Sequence, residues 1–314
     1  MCPGSAAAAM NSKSVCVMDA SGPLGHALVA RLLRRGYTVH AATYHQSPHQ
    51  DHHYDHHPRL KLFRADPLDY HAIADAVHGC SGLFAIFNTP QLDSTRSGLP
   101  CHQQQQKEEQ AIVEAEVRAA QNVVEACAQT ETMERVVFTS SVTAVVWKEK
   151  DDHRALDESS WSDLALCTRF KLWHALAKTL SEKTAWALAM DRGVDMVAIN
   201  AGLLTAPGLT AEHPYLKGAP NMYDHGVLVT VDADFLADAH VAAYECPTAY
   251  GRYLCFNNAV CRPEDAARLA QMLSSSSSAP PPSDELKVIP QRIHTKKLNK
   301  LMLEFDGAIH GDLH

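Results

Sequence analysis

Short apolar runs alternate along the chain with longer segments whose apolar positions recur at helical spacing. Residues 15–18 are an apolar run typical of a buried strand, and a turn of small residues follows them. The next apolar positions share one helical face: Leu28, Val29, Leu32 and Leu33. This helix is predicted to end at Gly36, and a second strand is predicted over residues 38–43. A strand, a helix and a strand in about 30 residues predict parallel strands joined by a crossover helix.

The same alternation continues through the first two thirds of the chain. Further strands are predicted over residues 60–65, 82–87, 135–139 and 196–200, and helices over residues 70–78, 108–129 and 169–192. Strands that alternate with helices predict an α/β fold whose core is a Rossmann-type, doubly wound parallel sheet.

The chain is predicted to divide into four parts. Residues 1–12 resemble a disordered leader, and residues 13–200 form the Rossmann domain. Residues 201–272 are less regular and predict a smaller C-terminal lobe over the substrate, with parts interleaved with the Rossmann domain. Residues 273–314 combine a serine- and proline-rich linker with a basic tail, for which a solvated helix is favoured over a partner-binding patch.

Composition excludes several classes of function. The 314 residues carry a formal net charge of -8, which argues against binding nucleic acid through phosphate neutralisation. No apolar run approaches the roughly 20 residues that span a bilayer. The nine cysteines are scattered without paired CxxC spacing, which favours free thiols in a reducing compartment over a disulfide framework. A cytoplasmic protein that binds neither nucleic acid nor membrane is expected.

Histidine is the unusual residue, with 19 copies. Six of them crowd residues 45–57: His45, His49, His52, His53, His56 and His57. Such tracts can bind zinc or nickel, but structural zinc sites need a fixed tetrahedral set of ligands, and this segment has no cysteines. A solvated surface loop without a resident metal is the favoured interpretation, and metal storage is a distant alternative.

The turn after the first strand is the first candidate site. Glycines at this point let a pyrophosphate approach the backbone at a helix N-terminus. Gly22 and Gly25 have the expected spacing, but Asp19 stands where the first glycine of a three-glycine pattern would be. A tight strand–helix turn without a ligand is the other interpretation of the same residues.

The second candidate site joins two distant segments. Residues 136–141 form a predicted buried strand that ends in the hydroxyl of Ser141. His174 and Lys178 are four residues apart on a predicted helix and therefore share a face. A hydroxyl, a proton donor and a lysine are what carbonyl reduction needs, but the spacing alone is not specific.

Several motifs together resemble a known family. They are Asp19-Ala20-Ser21-Gly22-Pro23-Leu24-Gly25, Asn122-Val123-Val124-Glu125-Ala126-Cys127, Val137-Phe138-Thr139-Ser140-Ser141, Asp157-Glu158-Ser159-Ser160-Trp161-Ser162-Asp163, Lys178-Thr179-Leu180-Ser181-Glu182, Gly193-Val194-Asp195 and Val231-Asp232. The chain resembles the extended short-chain dehydrogenase/reductases, in the plant cinnamoyl-CoA reductase and dihydroflavonol reductase group. The segment Leu172-Trp173-His174-Ala175-Leu176-Ala177-Lys178 is most similar to a divergent, cinnamoyl-CoA reductase-like branch.

The resemblance implies a catalytic serine, tyrosine and lysine, and a nicotinamide cofactor. Ser141 and Lys178 match the family, whereas His174 stands at the tyrosine position. NADP is the implied cofactor, but Tyr44 occupies the region where the family places an arginine for its 2′-phosphate, so NAD stays open. The positions implied for the cofactor are Asp19, Ser21, Gly22, Leu24, Gly25, Tyr44, Asp66 and Lys178. For Asp66, a cap at the end of a strand is an equally supported role.

Two functions follow as hypotheses. The first is an NAD(P)H-dependent reductase of a small molecule with a carbonyl or acyl-CoA group, in phenylpropanoid and lignin metabolism or plant defence by resemblance. Ser141 would polarise the carbonyl, Lys178 would bind the ribose and His174 would donate the proton. The second is a pseudoenzyme that keeps the fold for binding or regulation, and the departures at Asp19, Tyr44 and His174 motivate it.

Overall fold

The computed structural model describes residues 13–44, 57–87, 102–149, 155–274 and 288–311. The predicted leader over residues 1–12, all but the last residue of the histidine-rich segment and most of the predicted linker lie outside these ranges.

The described residues form ten strands, and they form nine helices that are at least four residues long. The strands are β1 Ser14–Met18, β2 Thr38–Thr43, β3 Leu60–Arg64, β4 Gly82–Ala85, β5 Arg135–Ser141, β6 Met196–Ala201, β7 Leu203–Thr205, β8 Val229–Asp232, β9 Gly251–Cys255 and β10 Asn258–Ala259. The helices are α1 Pro23–Arg34, α2 Tyr70–Val77, α3 His102–Ala128, α4 Leu164–Arg169, α5 Trp173–Arg192, α6 Ala219–Asp224, α7 Ala233–Glu245, α8 Pro263–Leu273 and α9 Lys296–Gly311.

The main sheet confirms the predicted α/β, Rossmann-type fold. Its seven parallel strands lie in the order β3-β2-β1-β4-β5-β6-β9. Val15 of β1 pairs with Val39 on one side and with Gly82 on the other. The strand order therefore reverses between β1 and β4, and doubly wound folds bind their ligands beyond the carboxyl ends of the strands at such a point.

The apolar runs of the sequence became the buried strands because parallel strands are covered on both faces. All six residues of β6 are buried, and so are the last four residues of β1. Three helices pack against the central strands through fully buried apolar side chains, among them Leu28, Ile73 and Val123. This packing fixes where each strand ends, and hence where the polar residues that follow the strands are placed.

One long predicted helix begins four residues later than predicted. The apolar pattern predicted a helix over residues 169–192, but α5 begins at Trp173, and Arg169 is the last residue of the short helix α4. Lys171 lies between them in the left-handed region, with φ at 53°. A residue in that conformation stops an α-helix, and the break sets the N-terminal end of α5, which carries His174.

A smaller mixed sheet and a C-terminal helix follow the main alternation. The order of the small sheet is β10-β8-β7, with β7 parallel and β10 antiparallel to β8. The tail helix α9 was expected to be solvated, but Leu298, Leu301 and Phe305 are buried. The tail is therefore amphipathic, and its apolar face is part of the core.

The chain forms two compact units that interleave along the sequence. The first comprises Met1–Thr139, Leu180–Ala198 and Ala237–Gly251, and the second comprises Ser140–Thr179, Ile199–Leu236 and Arg252–His314. The boundaries predicted at residues 200 and 272 stay a prediction.

Two expectations from composition can be compared with the described residues. Seven cysteines lie within them, all as free thiols: Cys16, Cys80, Cys127, Cys167, Cys246, Cys255 and Cys261. Among the helices of the described chain, none combines the length and the apolar character needed to cross a bilayer.

Candidate active site

Ser141 is held at the end of β5 by the residue two positions later. The strand stops at Ser141, and a short 3₁₀ turn over Val142–Ala144 begins there. The Ser141 hydroxyl caps this turn by accepting a hydrogen bond from the backbone N–H of Thr143 at 3.1 Å. The Thr143 hydroxyl donates a second hydrogen bond to the same oxygen at 2.9 Å. Both residues are buried, so the Ser141 hydroxyl has a fixed position.

His174 joins this pair from the first turn of α5. Its ring nitrogen Nδ1 lies 3.1 Å from the Thr143 hydroxyl. Ser141 and His174 are therefore connected through Thr143, a residue that the sequence motif did not single out. The structure brings together two of the three predicted catalytic residues, and it does so through an intervening hydroxyl.

Lys178 follows His174 by one helical turn, so both lie on the same face of α5. Only 6% of Lys178 is exposed, which is unusual for a lysine. A buried ammonium group favours the neutral form of a nearby histidine. All three predicted catalytic residues thus lie in the second unit and form one cluster.

Two residues of the loop before α6 complete the cluster. The centroid of the His213 ring lies 6.3 Å from that of His174, and the centroid of the Tyr215 ring lies 6.0 Å from it. Nδ1 of His213 accepts a hydrogen bond from the backbone N–H of Tyr215 at 3.3 Å. No motif in the sequence connects this loop with α5, because their proximity arises only from the tertiary fold.

Tyr215 is not placed to act as an acid in this cluster. Its hydroxyl donates to the backbone carbonyl of Val229 at 3.2 Å, so its proton is committed to the scaffold. Burial also raises the pKa of Tyr215 far above its ordinary value. A buried phenol with a raised pKa is a weak acid, and Tyr215 is better described as a wall of the site.

The electrostatics of the cluster keep both histidines neutral. Burial, then the charge of Lys178, and then His213 lower the pKa of His174 well below 6.5. Burial and the charge of Lys178 also lower the pKa of His213. At pH 7 each ring therefore carries one proton, which leaves one ring nitrogen as a donor and the other as an acceptor.

The first turn lies in the other unit, and Asp19 has an unusual backbone conformation there. Its φ is 59°, in the left-handed region that normally favours glycine and that aspartate tolerates better than most residues. Its carboxylate accepts hydrogen bonds from the backbone N–H of Ser21, at 3.3 Å, and from the Ser21 hydroxyl. Asp19 thus keeps the turn geometry that glycine would give, and it adds a negative charge.

The N-terminus of α1 fits a bound pyrophosphate. Gly22 precedes the helix in an extended conformation, and no side chain caps the first turn. A side chain at Gly25 would place its Cβ only 2.3 Å from the carbonyl oxygen of Asp19. Glycine is therefore required for the close approach of helix and turn, which is the geometry that dinucleotide sites use. Leu24 is buried, so only its backbone can take part.

The other two positions implied for the cofactor are less distinctive. Tyr44 follows β2 and is 37% exposed. The Asp66 carboxylate accepts a hydrogen bond from the backbone N–H of Leu68 at 2.8 Å, which is the turn-capping role that the sequence left open. Among the described residues, no group of histidine, cysteine and acidic side chains is arranged to hold a metal ion.

A cavity of about 580 Å³ opens within the second unit. Its apolar wall includes Trp147, Phe170, Leu172 and Met222. The charged side chains among its described lining residues are Lys148, Arg169, Lys217, Arg292 and the acid Glu149. Along the chain, Leu172 lies two residues before His174, and Lys217 lies two residues after Tyr215. The same segments therefore build the cavity and the cluster.

Known proteins share this architecture. A family model described as NAD(P)H-binding matches residues 20–206. Cinnamoyl-CoA reductase 2 of Arabidopsis thaliana is 33% identical, and the match covers 94% of this chain and 89% of that protein. Dihydroflavonol 4-reductase of Zea mays is 30% identical, and the match covers 95% of this chain and 85% of that one.

The crystal structure of vestitone reductase from alfalfa (Medicago sativa L.) shares the fold. Its TM-score is 0.68 at 24% identity, over 92% of this chain and 91% of that one. The relatives cover more than nine tenths of the chain, and the family model, from residue 20 to residue 206, spans the end of β5 and α5. The chain belongs to the extended short-chain dehydrogenase/reductases, among the NAD(P)H-dependent reductases of the cinnamoyl-CoA reductase and dihydroflavonol reductase family.

Proposed function

We propose that this protein reduces a carbonyl or acyl-CoA thioester with NADPH, or with NADH as the alternative cofactor. The observation that carries the proposal is the hydrogen-bonded series Ser141, Thr143 and His174, with the buried Lys178 one turn away. A polarising hydroxyl, an imidazole and a lysine are the groups that carbonyl reduction requires.

Each unit offers candidate cofactor residues of its own. In the first unit, the uncapped N-terminus of α1, with Gly22 and Gly25, would hold the pyrophosphate. In the second unit, Lys178 stands at the position that the resemblance implies for binding the ribose. When bound, the reduced nicotinamide supplies a hydride to the carbonyl carbon. Asp19 would weaken this binding, because one unit-charge repulsion at 5 Å costs roughly 3 kcal/mol at an effective dielectric near 20.

The cavity of the second unit supports an aromatic, anionic substrate. Trp147 and Phe170 belong to its wall, and among the described lining residues four cationic side chains stand against one acid, Glu149, which pairs with Arg169. A phenylpropanoid thioester of coenzyme A combines an aromatic body with phosphates. This substrate class, and the roles in lignin formation or plant defence, rest on the similarity to cinnamoyl-CoA reductases.

The thiols and the net charge support a cellular setting. Free thiols at the described cysteines agree with a reducing compartment such as the cytoplasm. The acidic net charge of -8 continues to argue against a nucleic-acid partner.

A cofactor titration tests the proposal. Purified protein is titrated with NADPH and with NADH by calorimetry, and each mixture is assayed with cinnamoyl-CoA and with a panel of aromatic aldehydes. We expect binding of at least one cofactor and its oxidation in the presence of substrate. The absence of any heat of binding at millimolar NADPH and NADH would rule the reductase out.

A catalytically impaired protein of the same fold is the second candidate, and the charge of Asp19 together with the neutral His174 favours it. His174→Tyr separates the two candidates. If the parent protein binds cofactor without turnover and this variant gains activity, the chain has lost its original chemistry. If the parent turns over and the variant only changes its rate, the reductase proposal holds.

A further inference from the structure

Both acceptor positions of the Ser141 hydroxyl are filled by one neighbouring residue. Thr143 donates to Ser141 Oγ twice, from its backbone N–H at 3.1 Å and from its hydroxyl at 2.9 Å. A serine hydroxyl has two acceptor lone pairs and one proton to donate. The only hydrogen-bonding capacity left on Ser141 Oγ is therefore its own proton.

The Thr143 hydroxyl determines which nitrogen of His174 carries the proton. The Thr143 hydroxyl has a single proton, which it donates to Ser141. The Thr143 hydroxyl oxygen and Nδ1 of His174 lie 3.1 Å apart. Because the Thr143 proton is already used, the imidazole ring must donate this hydrogen bond from its Nδ1–H. Neutral His174 accordingly carries its proton on Nδ1, and its Nε2 is an acceptor. This is the opposite of what a direct replacement for a tyrosine acid would need.

Among the described residues, the charged and titratable neighbours of His174 keep its ring neutral. Lys178 on the same helix and His213 on the facing loop both lower the pKa of the imidazole. The Tyr215 hydroxyl is committed to the carbonyl of Val229, so it offers His174 no proton. An imidazolium at His174 is therefore scarce at neutral pH, and direct donation from it would be slow.

We propose that Thr143 is a positioning residue in a proton relay that ends at Ser141. This inference rests on the proposed reductase function. The carbonyl carbon gains the hydride that the cofactor supplies, and the carbonyl oxygen gains the Ser141 proton. Ser141 regains a proton from Thr143, Thr143 regains one from Nδ1 of His174, and Nε2 of His174 takes one from solvent water. One hydride and one proton are consumed, and His174 ends as the other neutral tautomer, which returns to the first by exchange with solvent.

The relay gives Ser141 a different role from the one predicted from the sequence. The prediction made His174 the donor and Ser141 a polarising group. In the relay, Ser141 delivers the proton, and His174 conducts it from solvent without becoming a stable cation. Thr143 is essential to the relay because its hydroxyl contacts both Ser141 Oγ and Nδ1 of His174.

A matched pair of variants tests the relay. Thr143→Val removes the hydroxyl but keeps the branched shape, and Thr143→Ser keeps the hydroxyl. Thr230→Val removes another buried hydroxyl of the same unit and serves as the control. We expect Thr143→Val to lower kcat on the order of 100-fold with little change in KM, because proton transfers by positioned groups contribute on this scale. Thr143→Ser and Thr230→Val should keep kcat within about threefold of the parent.

Two further measurements report on the relay itself. Nitrogen NMR of histidine-labelled protein without cofactor, with the His174 signal assigned by its loss in His174→Gln, shows which ring nitrogen carries the proton. The relay requires Nδ1–H in the parent and in Thr143→Ser, and a changed Nδ1 signal in Thr143→Val. The solvent isotope effect on kcat should have contributions from more than one proton in the parent and from fewer in Thr143→Val.

The outcomes distinguish the relay from the reductase function. An active parent whose Thr143→Val variant keeps its rate, or a His174 with its proton on Nε2, would overturn the relay alone. A parent that binds neither NADPH nor NADH would overturn the proposed function and the relay together. A Thr143→Val variant that fails to fold leaves the decision to the tautomer of the parent and to its solvent isotope effect.

Discussion

Lys178 stands one turn beyond His174 on α5, and its charge adds to burial in lowering the pKa of the imidazole. In a site with a tyrosine, a neighbouring lysine helps, because it brings the high pKa of a phenol towards neutrality. Beside a histidine, the same charge removes the proton that would be donated. A histidine at position 174 therefore gives the cluster different proton chemistry from that of a tyrosine beside a lysine.

This relationship predicts the dependence of the rate on pH. Because His174 is neutral at pH 7 and conducts a proton in that form in the proposed relay, kcat for reduction should stay flat between about pH 6.5 and 8. Steady-state rates at saturating NADPH and substrate, corrected for protein stability at each pH, provide the measurement. A rate that rises about tenfold for each unit of falling pH would identify an imidazolium as the working acid and contradict this expectation.

The lowered pKa of His174 also predicts how stability depends on pH. Below its ordinary pKa of 6.5, His174 takes up a proton in the unfolded chain before it does so in the folded protein. The contribution of neutral His174 to the free energy of unfolding is therefore fully present above pH 6.5. It decreases as the pH falls towards the pKa of His174 in the folded protein, by at most about 1.4 kcal/mol per pH unit for one histidine.

Urea unfolding of the parent and of His174→Gln between pH 7.5 and 5 measures this contribution. His213 and His40, whose pKa values are also lowered by burial, contribute to both proteins, so only the difference belongs to His174. The variant should lose stability less steeply than the parent as the pH falls. Equal slopes would show that His174 is protonated in the folded protein, and His71→Gln, at an exposed histidine, is the control for substitution itself.

Asp19 offers a prediction about cofactor affinity. Asp19→Asn removes the charge, while the side-chain amide oxygen can still accept from Ser21 and asparagine tolerates the left-handed backbone. Asp19→Gly removes the charge and the backbone strain together. Both variants should bind NADPH more tightly, by up to about two decades in Kd, because one repulsive charge is gone.

Calorimetric titration of both variants and the parent measures this change. If only Asp19→Gly gains affinity, backbone strain rather than charge limits binding. If neither variant gains affinity, the carboxylate lies away from the cofactor and the proposed pyrophosphate position at this turn is wrong.

Gly218 predicts a stability effect at the wall of the cavity. Its φ is 86°, and a Cβ there would lie 2.5 Å from the ring of Trp147. Gly208 has a φ of 85° but no neighbour within 4 Å of its virtual Cβ, so Gly208→Ala reports strain alone. Each alanine should cost roughly 1–2 kcal/mol of strain, and Gly218→Ala about 1–3 kcal/mol more because Trp147 must move.

Chemical denaturation compares the two alanine variants, and the KM for substrate reports whether the wall has shifted. Equal losses of stability in Gly218→Ala and Gly208→Ala would show that Trp147 yields without cost. In that case the indole is not a fixed wall of the cavity.

The fold followed from periodicity because buried parallel strands are nearly continuous apolar runs, as in β1 and β6. The break at Lys171 could not be predicted, because the apolar pattern runs through it and the left-handed turn has no strong sequence signal. The buried face of α9 was missed because its lysines suggested a solvated helix, although Leu298 and Leu301 have helical spacing.

The site was predictable only in part. Ser141 and Lys178 could be named because they match a family motif, and His174 because it stands at the position where that motif has a tyrosine. Thr143 had one usable signal, a hydroxyl two residues after a strand-ending serine, which is the spacing of a side-chain cap. His213 and Tyr215 had none, since only the tertiary fold brings their loop against α5.

We propose that this chain is a working NAD(P)H-dependent reductase with a histidine at position 174. Oxidation of NADPH by the purified protein, with cinnamoyl-CoA and aromatic aldehydes as substrates and Ser141→Ala as the matched control, tests this proposal. We expect turnover by the parent and loss of at least about two decades in kcat for Ser141→Ala. No turnover with any substrate, or equal rates for parent and variant, would contradict it.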